Sequence, residues 1–130
     1  MSQNVDVVKR GYDAFNSGDG ETLASLIAED VNWRGTADER IPGAGTFKSR
    51  DFALAALGRT RGAFATFSSL PDEFIEQGET VVVLGHTEAQ TKAGKDIKVP
   101  FVHIWRMSSG KVQRGQLLTD TAVLIEALEA

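Results

Sequence analysis

The chain has 130 residues, 42% of them hydrophobic and 25% charged, with a formal net charge of −4. This is the composition of one globular domain, and its lysines and arginines are scattered, which argues against a nucleic-acid-binding protein. The absence of cysteine excludes disulfides, thiolate nucleophiles and cysteine-ligated zinc. The first residues lack a signal-peptide pattern and no apolar run approaches the ~20 residues that span a bilayer, so we expect a cytoplasmic protein without a membrane partner.

Helical spacing of apolar residues marks the start of the chain. Val5, Val8, Tyr12 and Phe15 recur at intervals of three or four residues, which predicts an amphipathic helix over about 4–16. The Asn-Ser-Gly-Asp-Gly run that follows ends this helix.

Two further helices and a short strand are predicted before residue 60. Asp19 can cap a helix over about 20–29, and Ser49 can cap another over about 50–58. Between them Val31-Asn32-Trp33 alternates like a strand, and a glycine-rich loop separates this strand from the third helix.

The second half of the chain reads as strands that end in a short helix. Pro71 interrupts the first of these strands and therefore indicates an edge, a bend or a bulge. Gly94 and Gly110 lie in tight turns between later strands, where hairpins use glycine for positive φ. Helices followed by antiparallel strands predict an α+β fold. The predicted strands are 64–75, 80–91, 97–107 and 112–119, and the final helix runs from residue 120 or 121 to 128.

Five short motifs, in this order and spacing, resemble the SnoaL-like polyketide cyclase family, within the superfamily of nuclear transport factor 2 and ketosteroid isomerase. The resemblance implies that residues 1–130 form one cone-shaped domain, in which a strongly bent antiparallel sheet packs on three N-terminal helices, with a short C-terminal helix and a pocket between the layers. The motifs are Asn-x-Gly-Asp at 16–19, Asp30-Val31-x-Trp33, Gly45-Thr46-Phe47, Pro100…His103…Trp105 and Thr119-Asp120-Thr121.

The best-understood enzymes of this superfamily do not transfer their catalytic residues to the chain. Ketosteroid isomerase uses a tyrosine and two aspartates, whose places the resemblance assigns to Gly11, Gly35 and Val102. None of these side chains donates or accepts a proton. The limonene-type epoxide hydrolases need a second carboxylate where this chain has Leu117, so both mechanisms are disfavoured.

Three residues are the candidates for acid/base chemistry. His86 and Glu88 share one face of a predicted strand, where the carboxylate can orient an imidazole that titrates near neutral pH. If this face is solvated or lies in an interface, the pair merely satisfies itself. Asp120 lies near the pocket rim, but it also precedes the final helix and is equally suited to capping it.

The predicted ligand pocket is mostly apolar. Because the resemblance implies that Val102 points into it, we expect His103 to point away, towards the outer sheet face on which this family dimerises; a bulge would reverse this. We therefore expect a homodimer through Phe101, His103 and Trp105. The residues expected to bind a small hydrophobic ligand are Tyr12, Trp33, Arg34, Phe52, Leu57, Phe67, Val102, Ile104 and Leu117.

Neither a metal nor a nucleotide cofactor is expected. The two histidines lack metal-ligand spacing, and the glycine-rich segments lack the strand–turn–helix context of a phosphate-binding loop. Two hypotheses remain: a cofactor-independent cyclase, isomerase or dehydratase acting on a small hydrophobic carbonyl compound, and a non-catalytic binding or interaction module. Whether His86 and Glu88 face the cavity distinguishes them.

Overall fold

Four helices and six strands follow one another along residues 2–130, which are the residues that the computed structural model describes. The α+β class and the cone-like architecture are confirmed. The helices are α1 (Gln3–Ser17), α2 (Gly20–Ser25), α3 (Arg50–Gly62) and α4 (Thr121–Glu129), and the strands are β1 (Ile27–Arg34), β2 (Thr46–Phe47), β3 (Phe64–Gln77), β4 (Thr80–Thr91), β5 (Asp96–Ser108) and β6 (Lys111–Thr119).

The six strands form one bent sheet in the order β2-β1-β6-β5-β4-β3. Strands β3 to β6 are antiparallel neighbours, whereas β1 pairs with β6 in parallel. The expectation of a purely antiparallel sheet was therefore wrong at this one pair. A hairpin forces its two strands to be antiparallel, but β1 enters the sheet directly after α1 and α2, so no hairpin fixes its direction.

The predicted caps and hairpin turns are confirmed. The carboxylate of Asp19 accepts a hydrogen bond from the backbone N–H of Thr22 at 3.0 Å, and the hydroxyl of Ser49 accepts one from that of Phe52 at 3.2 Å. In the hairpin turns Gly94 has φ +96° and Gly110 φ +77°. These turns fix which residues of β4, β5 and β6 lie opposite one another.

The predicted second helix was too long. The structure ends α2 at Ser25, and Ile27 already pairs with Val112 of β6. Leu26 and Ile27 fit a helical apolar face by spacing, but they bury their side chains as the chain enters the sheet. Tertiary pairing therefore overrides the local pattern here.

Pro71 lies on an edge strand at an irregularity, as predicted. β3 is the last strand of the sheet, and the pairing of β3 with β4 shifts register between Pro71 and Glu73. An edge position leaves the missing N–H of proline without consequence for the ladder.

The core lies between α1 and the sheet face that α1 covers, called here the inner face. Val8 and Tyr12 of α1 and Val81 and Val83 of β4 are buried there. The opposite sheet face is called the outer face. No helix within residues 2–130 is long and apolar enough to cross a membrane.

Candidate functional site

A cavity of about 140 Å³ opens between the inner sheet face, α1, α3 and the loop after β1. An engineered protein cavity of ~150 Å³ holds a benzene ring, so the space suits a molecule built around one ring. Most of its wall is apolar. Its polar side chains are those of Tyr12, Trp33, Thr36, Thr60, Ser69, Thr87, His103, Trp105 and Thr119.

Three of these side chains form a hydrogen-bonded chain in the cavity wall. The hydroxyl of Tyr12 lies 2.6 Å from Nδ1 of His103. The indole N–H of Trp105 donates to the same hydroxyl at 3.0 Å. His103 and Trp105 stand on β5 two residues apart, so both side chains point to the inner face, where Tyr12 of α1 meets them.

Aromatic rings surround this chain of hydrogen bonds. The rings of Trp33 and Trp105 stack with centroids 5.6 Å apart and planes at 17°. The ring centroids of Phe101 and His103 lie 4.2 Å apart. Space for the two indoles depends on Gly115, where a Cβ would come within 2.4 Å of Cζ3 of Trp105 and 2.9 Å of Cε3 of Trp33. The glycine is thus part of the site because of the side chain that it lacks.

Burial sets the charge state of the site. It lowers the pKa of His103 to about 3, so the imidazole is neutral near pH 7. Burial likewise raises the pKa of Tyr12 above its ordinary value, although the hydrogen bond from Trp105 acts in the opposite direction. Within the described chain, no aspartate, glutamate, lysine or arginine lines the cavity. The polar side chains of the cavity wall are therefore uncharged.

The structure reverses the predicted orientation of β5. Its register places His103 opposite Leu117 of β6 and Val83 of β4, and these three side chains share the inner face. Val102 and Ile104 consequently lie on the outer face, where neither lines the cavity. A difference of one residue in the placement of a strand exchanges its two faces, and the resemblance assigned β5 to the wrong one. Phe101, His103 and Trp105 are therefore cavity or core residues, not a dimer surface.

His86 and Glu88 face outward and do not meet the cavity. Nδ1 of His86 lies 2.8 Å from the carboxylate of Asp72, and Nε2 lies 2.9 Å from that of Glu88. These hydrogen bonds, that to Asp72 first, raise the pKa of His86. Both imidazole nitrogens are occupied on the outer face. The prediction that His86 and Glu88 act on a cavity ligand is therefore corrected.

Three other predicted site residues lie outside the cavity wall. Asp120 caps α4, where its carboxylate accepts from the backbone N–H of Val123 at 3.4 Å. Arg34 is exposed at the end of β1, and Phe52 on α3 is 68% exposed. Phe52 was expected inside because it is large and apolar, but α3 turns Ala53 and Ala56 to the core instead.

The remaining predicted residues line the cavity. The structure places Tyr12, Trp33, Leu57, Phe67 and Leu117 in its wall. The inward orientation of His103 and the contribution of Gly115 were not predicted from the sequence. His103 pairs with Leu117, which was predicted to line the pocket. Residues paired across two strands share a face, so this pairing indicates that His103 points inward and that Val102, its neighbour in the chain, points outward. Among residues 2–130, no group of three histidine, aspartate or glutamate side chains is arranged to hold a metal ion.

Solved structures with this fold include proteins of similar sequence. A nuclear transport factor 2-like protein of unknown function from Burkholderia pseudomallei is 31% identical, with both chains covered completely and a TM-score of 0.91. TerC, crystallised with polyporic acid, is 29% identical over 99% of this chain and 100% of its own, with a TM-score of 0.92. IdmH from Streptomyces antibioticus, a candidate polyketide cyclase, is 22% identical over 99% of this chain and 100% of its own, with a TM-score of 0.84, and shares the fold.

No curated protein sequence matches the chain. The family model of the SnoaL-like domain matches residues 8–115, which include most of α1, strands β1 to β5 and the hydrogen bonds of Tyr12 with His103 and Trp105. The resemblance seen in the sequence motifs is thereby confirmed, and the chain belongs to the SnoaL-like domain family.

Proposed function

We propose that the cavity binds a small, uncharged, apolar or aromatic molecule that carries a carbonyl group, and that the protein promotes a cofactor-independent cyclisation, isomerisation or dehydration of it. The observation that carries this proposal is the buried Tyr12–His103 pair in a mostly apolar wall. A few polar groups in an apolar pocket orient a ligand without adding much desolvation cost.

His103 is the proposed group that acts on the carbonyl. Its imidazole is neutral near pH 7 because burial lowers its pKa, so it can form a hydrogen bond with a ligand without an opposing charge nearby. TerC, which shares the fold, was co-crystallised with polyporic acid, and this supports a small-molecule ligand for the chain.

A non-catalytic binding module is the second candidate. It is favoured by the cavity wall, which within residues 2–130 offers no carboxylate to serve as a base. It is also favoured by the outward orientation of His86 and Glu88, which removes the predicted acid/base pair from the ligand. If the protein is an enzyme, its chemistry depends on His103 and Tyr12.

Deuterium exchange distinguishes the two candidates. Acetophenone is a one-ring carbonyl probe, and polarisation of its oxygen makes the adjacent methyl C–H more acidic, so that catalysed enolisation in D₂O replaces its methyl protons with deuterium. We expect the protein to accelerate this loss of the methyl ¹H signal, and His103→Gln and Tyr12→Phe to remove the acceleration. His86→Gln is the matched control, since it changes the other histidine and leaves the cavity intact.

Binding is followed in parallel samples in H₂O through the indole N–H signals of Trp33 and Trp105, the two tryptophans of the chain. Binding with exchange no faster than in buffer supports the binding module. If acetophenone shifts neither indole signal at millimolar concentration, the proposal of a carbonyl-binding cavity is wrong.

We also propose that a second copy of the chain covers the outer face. Val82 lies opposite Ile104, and Val102 lies opposite both Leu84 and Leu118, so these five apolar side chains form one patch. Leu118 is 49% exposed. An apolar patch of this kind on a sheet face is typical of an interface.

Charge on either side of the patch favours a copy of the same chain as the occupant. Arg106 and Arg114 lie opposite each other at one end of the patch. The other end carries Asp72 and Glu88 around His86, with Lys98 opposite Glu88. A two-fold axis through the patch brings the arginines of each copy to the carboxylates of the other.

A further inference from the structure

Three groups determine which nitrogen of His103 carries the proton. Trp105 has a single polar atom, an indole N–H, which donates and never accepts. Its hydrogen bond of 3.0 Å therefore fixes the hydroxyl oxygen of Tyr12 as the acceptor. The hydroxyl still has one proton to donate, and Nδ1 of His103 lies 2.6 Å away.

The alternative arrangement would leave a buried donor without an acceptor. If Nδ1 of His103 carried the proton, Tyr12 would accept from both Trp105 and His103, and its own O–H would have no acceptor among the residues that the structure describes. Tyr12 is 6% exposed, so that proton would have to leave the protein's own hydrogen bonds for a water molecule inside the mostly apolar cavity. An unsatisfied buried hydroxyl is disfavoured, and the lone pair of Nδ1 therefore accepts from Tyr12.

Nε2 of His103 then carries the proton, and it is open to the cavity. Within residues 2–130, Tyr12 is hydrogen-bonded to Nδ1 of His103, and no group is hydrogen-bonded to Nε2. Every polar side-chain atom in that range that is fully shielded from solvent has a hydrogen-bond partner. Nε2 must therefore retain accessible surface. Since His103 lines the cavity, that surface is exposed to a ligand.

We infer that Trp105 is a positioning residue which, through Tyr12, holds His103 as the Nε2–H tautomer, so that the cavity presents a hydrogen-bond donor and selects ligands with an acceptor oxygen. This inference deepens the proposed function, on which its ligand class rests. His103 then acts on a carbonyl by donating a hydrogen bond to the oxygen, and a group of the substrate or a water molecule must accept any proton that leaves carbon. Tyr12 and Trp105 act through His103.

The tautomer is tested by ¹⁵N NMR of the histidine side chains, which distinguishes a protonated from an unprotonated ring nitrogen. We expect His103 in the wild-type protein at pH 7 to be the Nε2–H tautomer. A predominant Nδ1–H form in the folded wild type overturns the inference, whether or not any ligand binds. This measurement needs no variant and so does not depend on the folding of one.

The role of Trp105 is tested by Trp105→Phe, with Trp33→Phe as the matched control. Both variants remove an indole from the same stacked pair, but only Trp105 is hydrogen-bonded to Tyr12. We expect Trp105→Phe to give a mixture of the two tautomers and Trp33→Phe to keep Nε2–H. Unchanged Nε2–H in a folded Trp105→Phe protein overturns the positioning role.

The selection for an acceptor oxygen is tested with acetophenone and isopropylbenzene, which have similar shape but differ in the carbonyl oxygen. In NMR titrations we expect His103→Leu to lower the affinity for acetophenone, relative to that for isopropylbenzene, about tenfold, since a buried hydrogen bond is worth roughly that factor. An unchanged ratio of the two affinities in a folded His103→Leu protein overturns the selection. If neither probe binds while the tautomer is Nε2–H, the proposed function has failed and the assignment of Trp105 and His103 stands.

Discussion

The phenolic oxygen of Tyr12 lies 2.6 Å from Nδ1 of His103, although 91 residues separate the two in the chain. This contact joins α1 to the middle of β5 by a polar bond within a largely apolar core. Because a buried polar pair is stable only when each member satisfies the other, docking of the helix and assembly of the site are the same event.

The first prediction concerns acid stability. In the unfolded chain His103 has an ordinary pKa near 6.5, whereas in the folded protein burial lowers it to about 3. Between these values the unfolded state binds the extra proton, so acidification favours unfolding. We expect His103 to account for roughly 2–3 kcal/mol of lost unfolding free energy between pH 7 and pH 4.5.

Urea denaturation at pH 7 and at pH 4.5 measures this loss, and His103→Gln is the comparison because glutamine does not titrate. The variant is less stable at pH 7 but loses less on acidification. An equal loss in the two proteins means that the carboxylates, and not His103, cause the acid sensitivity.

The second prediction concerns His86, whose pKa is raised by Asp72 and then Glu88. We expect Asp72→Asn to lower that pKa, and by more than Glu88→Gln does, because Asp72 is the larger cause. Because the pKa of His86 is higher in the folded than in the unfolded protein, His86 stabilises the fold at pH values below its unfolded pKa. This stabilisation is lost as the pH rises through the folded pKa. Histidine ¹H NMR titration gives the pKa directly, with the His103 signal as the internal control. No change in Asp72→Asn would show that the outer-face pair does not persist in solution.

The third prediction concerns Gly115, where a methyl group would overlap the rings of Trp105 and Trp33. We expect Gly115→Ala to lower the unfolding free energy by about 1–3 kcal/mol through overpacking and to alter tryptophan fluorescence as Trp105 moves. Gly58→Ala is the matched control, because Gly58 is exposed in α3 and a Cβ there meets nothing within 4 Å. That change should stabilise the protein by about 0.5–1 kcal/mol. Destabilisation of the same size in both variants would contradict the packing role.

The fourth prediction concerns assembly through the outer face. We expect the wild-type protein to sediment as a dimer at micromolar concentration and Leu118→Asp to sediment as a monomer, since it places a charge in the apolar patch. Phe52→Asp is the control: Phe52 is 68% exposed on α3, outside the patch. The dimer should also weaken as salt screens its charged ends. A monomeric wild type, or a Leu118→Asp dimer, would show that this patch is not the interface.

Local chemistry predicted much of the architecture. Ser49 caps a helix and Gly94 closes a hairpin because these properties depend on a residue and its near neighbours, and such positions can be read in order along the chain. Local pattern failed where a distant partner decided the outcome: Ile27 has helical spacing but pairs with Val112 of β6.

For the candidate site, the sequence by itself determined which side chains are present: two histidines, one tyrosine, two tryptophans and no cysteine. It also indicated the order of the helices and strands that carry them. Only the tertiary structure decided which histidine lines the cavity. Alternation along a strand divides its residues into two faces but does not say which face is covered, and that choice depends on pairing with other strands and on the helix above them. Register with Leu117 and contact with Tyr12 put His103 inside, and the same physics leaves His86 outside with Asp72 and Glu88.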